Sequence, residues 1–121
     1  MKVLLVDDDA DQLFVRRLLL EGIGLQVLTA ATVEAGVALA RLHKPACAVV
    51  DLRLPTEADG VQLLRQLKAL DPDIRLILLT GASEVHWRDL LSAGLVSDVI
   101  VKGTPISVLL DKLQAMAANQ G

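Results

Sequence analysis

Hydrophobic and polar positions follow two rhythms along this chain: short unbroken apolar runs, and longer stretches in which apolar residues recur at helical spacing. Lys2-Val3-Leu4-Leu5-Val6, Cys47-Ala48-Val49-Val50, Ile74 to Leu79 and Asp98-Val99-Ile100-Val101 have strand length, and Leu25 to Thr29 is a shorter fifth run. Residues 10 to 21 place Leu13, Phe14, Arg16-Arg17 and Leu18 to Leu20 at helical spacing, ended by Gly22 and Gly24. Thr32 is placed to cap a second helix with Val33, Val37 and Ala40 on its apolar side, closed by His43-Lys44-Pro45. A loop from Pro55 to Gly60 leads to a third helix, where Val61, Leu64, Leu67 and Leu70 repeat until Asp71-Pro72. Ser83 and Glu84 open a fourth, carrying Val85, Trp87, Leu90 and Leu91 and closed by Gly94. Pro105 starts a fifth, with Ile106, Leu109, Leu110, Leu113 and Ala117 on one side.

Strand and helix thus alternate five times in 121 residues. Parallel strands need right-handed crossovers and both sheet faces must be covered, so the expected fold is α/β: a doubly wound five-stranded parallel sheet in one domain over residues 1–121. For the strand order 2-1-3-4-5, the order reverses between the first and third strands, where ligands bind beyond the carboxyl ends.

What the strands carry to that edge is polar. The first runs into Asp7-Asp8-Asp9, the third into Asp51, the fourth into Thr80-Gly81 and the last into Lys102, while Pro55 stops the third from continuing. Asp7, Asp8 and Asp51 repel one another unless a hard cation lies between them, and Mg²⁺ accepts a few carboxylates, a carbonyl and waters while leaving room for a phosphate oxygen. Phosphoryl transfer then needs a nucleophile and neutralisation of the equatorial oxygens: Asp51 can attack, Lys102 can supply charge and Thr80 can donate a hydrogen bond.

Composition narrows the partners. The chain is 53% hydrophobic with one Phe, one Trp and no Tyr, which suits an aliphatic core. Its net charge of −3 and isoelectric point near 5.2, with Arg16-Arg17 the only adjacent bases, argue against direct nucleic-acid binding. No apolar run approaches the ~18 residues of a membrane span or forms a secretory core near the N-terminus, so no membrane association and a cytoplasmic location are expected. Cys47 is the only cysteine and sits in a strand, so it is expected to be a small buried hydrophobe.

In this order and spacing, V-D-D-D at 6 to 9, V-D-L-R-L-P at 50 to 55, D-G at 59 to 60, L-L-T-G at 78 to 81, A-G at 93 to 94 and V-I-V-K at 99 to 102 resemble a receiver domain of a two-component response regulator. The resemblance covers almost the whole chain and implies a flavodoxin-like (βα)5 fold. It further implies that Asp51 accepts phosphate from a phosphohistidine on a sensor histidine kinase or a histidine phosphotransfer protein. Asp8 and Asp51 would bind Mg²⁺ directly with the backbone carbonyl of Arg53, Asp7 would act mainly through a water, and Thr80 and Lys102 would contact the phosphoryl group. The implied output is a switch of the surface formed by the fourth helix, fifth strand and fifth helix, read by a downstream protein or domain or by a phosphorylation-dependent homodimer, rather than conventional enzyme turnover.

The chain departs from the family pattern in places. Gly103 stands where Pro commonly follows the lysine, which implies a more mobile loop, and Val99 stands where an aromatic often answers the threonine's movement. The stretches Pro55 to Gly60 and Gly94 to Lys102 each look one residue longer than the common pattern. Arg53 and Ala82 occupy positions that influence dephosphorylation in the family. Two other readings of the same residues are a phosphorylation-independent module on this fold and an aspartyl-phosphate hydrolase resembling the haloacid dehalogenases. The hydrolase reading lacks the late acidic motif, since Asp111 is the only acid after Lys102. Because the chain stops shortly after the fifth helix, it is expected to be a stand-alone regulator or a receiver from a longer protein, without an output domain of its own.

Overall fold

The structure is a computed structural model and describes residues 1–81 and 87–119. Strands β1 (Lys2–Val6), β2 (Gln26–Ala30), β3 (Cys47–Asp51), β4 (Arg75–Thr80) and β5 (Asp98–Val101) alternate with helices α1 (Ala10–Gly22), α2 (Val33–His43), α3 (Glu57–Leu70), α4 (Trp87–Ser92) and α5 (Ile106–Ala118). All pairings are parallel and the order is β2-β1-β3-β4-β5, the doubly wound arrangement expected from the alternation. The register pairs Val6 with Val50, Asp51 with Leu79 and Thr80 with Val101, so the polar residues that follow β1, β3, β4 and β5 arrive at one edge.

Side chains alternate across the sheet and feed two cores. Leu4, Val6, Ala48, Val50, Leu76 and Leu78 face α2 and α3. Val3, Leu5, Cys47, Val49, Ile77, Leu79 and Ile100 pack with Leu13 and Leu20 of α1 and Leu109, Leu113 and Met116 of α5. Each fully buried Leu contributes about 1.5–3 kcal/mol. Burial pushes the Cys47 thiol up to about 12, as suits the inert hydrophobe expected there.

Expectations shift in three helices. The segment expected as a loop from Pro55 to Gly60 is helical from Glu57, because Thr56 and Asp59 form a reciprocal capping box that starts α3 one turn early. In α3 the buried positions are Gly60, Leu63, Leu64 and Leu67, whereas Leu70 is exposed. A strict three-residue repeat slips about 60° per step on a 3.6-residue helix, which carries Val61 and Leu70 to opposite sides. In α5, Ile106 is exposed and Met116 takes the buried place one period beyond Leu113. On α1, Phe14 and Leu18 likewise face solvent rather than core. Of the expected fourth helix, Ser83, Glu84 and Val85 lie outside the described residues.

Candidate functional site

The polar strand ends are set by local structure on each side. Asp9 caps α1, its carboxylate accepting from the backbone N–H of Asp11 at 3.0 Å and of Gln12 at 3.3 Å, which turns the chain sharply after β1. That turn holds Asp7 in place, because the Asp9 backbone N–H donates to Asp7 Oδ1 at 2.9 Å. After β3, Gly60 lies so close to Leu52 that a Cβ there would stand 1.8 Å from the Leu52 carbonyl oxygen, so only glycine lets α3 pack beside the loop that follows Asp51. Leu54-Pro55 in that loop is a cis peptide bond.

The structure brings Asp7, Asp8 and Asp51 together, with one carboxylate oxygen of each within 4.8 Å of the others. Asp7 and Asp51 are buried and Asp8 is exposed, so the cluster opens to solvent on the Asp8 side. Such a set of hard oxygen donors fits a Mg²⁺ ion. Lys102 reaches the cluster from the end of β5, its Nζ donating to Asp51 Oδ2 at 2.9 Å, while the Arg53 backbone N–H donates to Asp51 Oδ1 at 3.2 Å. Burial raises the Asp51 carboxyl above the usual range; the hydrogen bond from Lys102 opposes that, and the negative charge of Asp7 adds to it.

Thr80 is fully buried at the end of β4, one residue past the register partner of Asp51, and its hydroxyl donates to the Gly81 carbonyl at 3.3 Å. The backbone N–H of Lys102 donates to the Thr80 carbonyl at 2.7 Å, tying the two strand ends to one another. Gly103 takes φ +96°, a conformation closed to proline, so its departure from the family pattern has a definite backbone form. Val99 is partly buried against the core shared with α2 and α3. Ala82 and His86 lie outside the described residues.

A cleft of about 610 Å³ opens over the acids. Asp7, Asp8, Asp51, Arg53 and Lys102 line its floor, and Val15, Leu19, Ile106 and Leu109 its apolar wall. A further basic residue faces this cleft: Arg16 of α1 donates from Nη1 to Asp7 Oδ2 at 2.6 Å. The sequence held a signal for it, since Arg16 falls between Leu13 and Leu20 on the helix's buried stripe. A cation at an inward position has to find an anion.

A doubly wound parallel sheet with two buried acids, one exposed acid and a lysine at its switch point defines an α/β protein with an aspartate-centred site. The family model of the response regulator receiver domain matches residues 3–114, and the chain belongs to that family. It is 43% identical over 81 residues to the photosynthetic apparatus regulatory protein RegA of Rhodovulum sulfidophilum, covering 65% of this chain and 43% of that protein. It is 31% identical over 121 residues to the transcriptional regulatory protein PrrA of Mycobacterium tuberculosis, covering 99% of this chain and 51% of that protein. The chain therefore spans about half the length, or less, of these curated relatives. Among solved structures, the CheY-like receiver domain protein of Methanospirillum hungatei superposes with a TM-score of 0.87 at 28% identity, covering 98% of this chain and 94% of that one. The BeF3-activated receiver domain of Klebsiella pneumoniae RstA superposes with a TM-score of 0.80 at 27% identity, covering 95% and 97%. Receiver domains belong to two-component signalling. Among the described residues no helix is long and apolar enough to cross a membrane.

Proposed function

We propose that residues 1–121 act as one phosphoacceptor switch, in which Asp51 takes a phosphoryl group from a phosphohistidine of a sensor histidine kinase or histidine phosphotransfer protein. The observation that carries this reading is the placement of Lys102 Nζ 2.9 Å from Asp51 Oδ2, beside two further carboxylates whose oxygens converge within 4.8 Å. An Asp51 oxygen attacks phosphorus, the P–N bond breaks and the imidazole leaves. Lys102 exchanges its carboxylate partner for an equatorial phosphoryl oxygen, and the Thr80 hydroxyl turns from the Gly81 carbonyl to donate to another. Asp8, Asp51 and the Arg53 carbonyl would hold Mg²⁺, with Asp7 acting through a water; the ion, when bound, supplies the charge that lets an anionic carboxylate meet an anionic phosphoryl group.

The donor must approach over the apolar wall of the cleft. Phe14, Val15, Leu18 and Leu19 are exposed along α1, and an apolar stripe bordering the acceptor fits a protein partner better than a small phosphate ester. The net charge of −3 supports protein over nucleic acid as the direct partner. On phosphorylation, movement of Thr80 would shift β5 and α5 through the backbone bond from Lys102 to the Thr80 carbonyl, changing what an output protein or a second copy of the chain meets on the α4-β5-α5 surface.

Incubation with acetyl phosphate, read by intact and peptide mass spectrometry, tests the reading. A Mg²⁺-dependent, hydroxylamine-sensitive addition at Asp51 that Asp51→Asn abolishes is expected. No addition in the folded protein under any condition would replace this reading with the phosphorylation-independent module, and rapid turnover through a modified Asp7 would point to the hydrolase.

A further inference from the structure

Two adjacent arginines on α1 meet different fates. Arg17 pairs with Glu21 at 3.0 Å in solvent, with both side chains about half exposed, an arrangement worth little. Arg16 is turned inward: its side chain is 14% exposed, that of Asp7 is 4% exposed, and Nη1 lies 2.6 Å from Asp7 Oδ2. The other Asp7 oxygen already accepts from the Asp9 backbone N–H, so the chain itself satisfies both oxygens of this carboxylate. Four carboxylates line the pocket, Asp7, Asp8, Asp9 and Asp51, against Arg16, Arg53 and Lys102, which leaves one net negative charge there. A divalent cation entering there meets a guanidinium that already occupies its neighbouring acid.

We propose that Arg16 is a positioning residue that acts as an internal counter-cation: it competes with the divalent metal for Asp7 and sets the resting metal affinity of the acceptor pocket low. The inference rests on the Mg²⁺ reading of the acid cluster given above. Arg16 fixes Asp7 when the pocket is empty of metal and keeps the buried carboxylate paired, at a cost in Coulomb repulsion when the ion arrives. Because Arg16 belongs to α1, metal occupancy is thereby coupled to the helix that carries the exposed apolar stripe.

The test is isothermal titration calorimetry of Mg²⁺ on the wild-type chain, Arg16→Met and Arg16→Gln, with thermal melts in chelator and in Mg²⁺. Gln keeps a hydrogen-bond donor toward Asp7 without the charge, so it carries the test if Met impairs folding. Both variants are expected to bind Mg²⁺ on the order of tenfold more tightly than wild type, with a larger rise of Tm on adding the ion. Arg16→Lys is expected to keep the weak wild-type affinity. In an Asp7→Asn background, where the cation has no anchor, the gain from Arg16→Gln is expected to shrink to about twofold or less. Unchanged or weaker binding in Arg16→Gln overturns the role of Arg16 and leaves the metal site standing. Loss of Mg²⁺ binding in Asp51→Asn supports that site, whereas no binding in any chain, wild type included, overturns the site and this inference with it.

Discussion

The two faces of the sheet are built from the same kind of strand and end differently. On one, α2 and α3 pack along each other, and Leu63, Leu64 and Leu67 close over Val6, Val50 and Leu78. On the other, a cleft remains beside α1 and the start of α5, and Phe14, Val15, Leu18, Leu19, Ile106 and Val108 stay exposed around it. The first face leaves Leu42 and Leu70 in water away from the acid cluster, whereas the second leaves Val15, Leu19 and Ile106 exposed in the cleft beside Asp51. On the function proposed above, that apolar surface beside Asp51 is where a partner protein would dock.

The sharpest break of this contrast is at Gly60. Gly60→Ala drives a Cβ into the Leu52 carbonyl, so α3 must lift off the closed face; a loss of more than about 3 kcal/mol in urea unfolding is expected. Leu64→Ala, within the same face, is expected to cost about 2–5 kcal/mol by the same assay. Its counterpart on the open face, Leu18→Ala, is expected to stay within ~0.5 kcal/mol of wild type while slowing transfer from a phosphohistidine protein and sparing acetyl phosphate. Equal losses for the two leucines would erase the distinction between the faces.

A subtler effect lies at the acceptor. Burial raises the Asp51 carboxyl above its unfolded value, so the fold holds that proton more tightly than the unfolded chain does. Stability from this group is therefore present when Asp51 is protonated and is lost as pH rises through the carboxylate range. Asp51→Asn, which cannot ionise, is expected to melt higher than wild type at neutral pH in chelator. The gap should close as pH falls far enough to protonate the wild-type carboxyl; a gap independent of pH would contradict the assignment. The smallest effect belongs to Lys112, whose ion pair with Asp98 joins two side chains each about a third exposed: Lys112→Met is expected to shift stability by less than ~1 kcal/mol, detectable only at low salt.

Much of this is legible in the chain itself. Apolar runs ending in acids revealed the strands, because a buried parallel strand has nowhere to hide a charge except its end, and Asp7, Asp8, Asp51 and Lys102 indeed meet at one edge. The turn of α3 from Glu57 to Gly60 was not legible as helix, because its stability comes from the reciprocal Thr56 and Asp59 bonds rather than from apolar spacing. The exposure of Phe14 and Leu18 escaped as well: hydrophobicity ran almost all round α1, and which side faced the sheet depended on Leu13 and Leu20 finding their partners. Arg16 lay in plain view on that inward stripe, but its partner at Asp7 exists only once the Asp9 cap has turned the chain back.

The bond between Lys102 and Asp51 spans 51 residues of chain. During synthesis β3 and both neighbouring acids emerge before the lysine, and β5 is the last of the five described strands and an edge of the sheet. A copy that stops short of β5 thus carries the aspartate without its ammonium partner. The pairing of Asp51 with an ammonium group therefore waits on the last of the described strands, an edge held to the sheet by β4 alone.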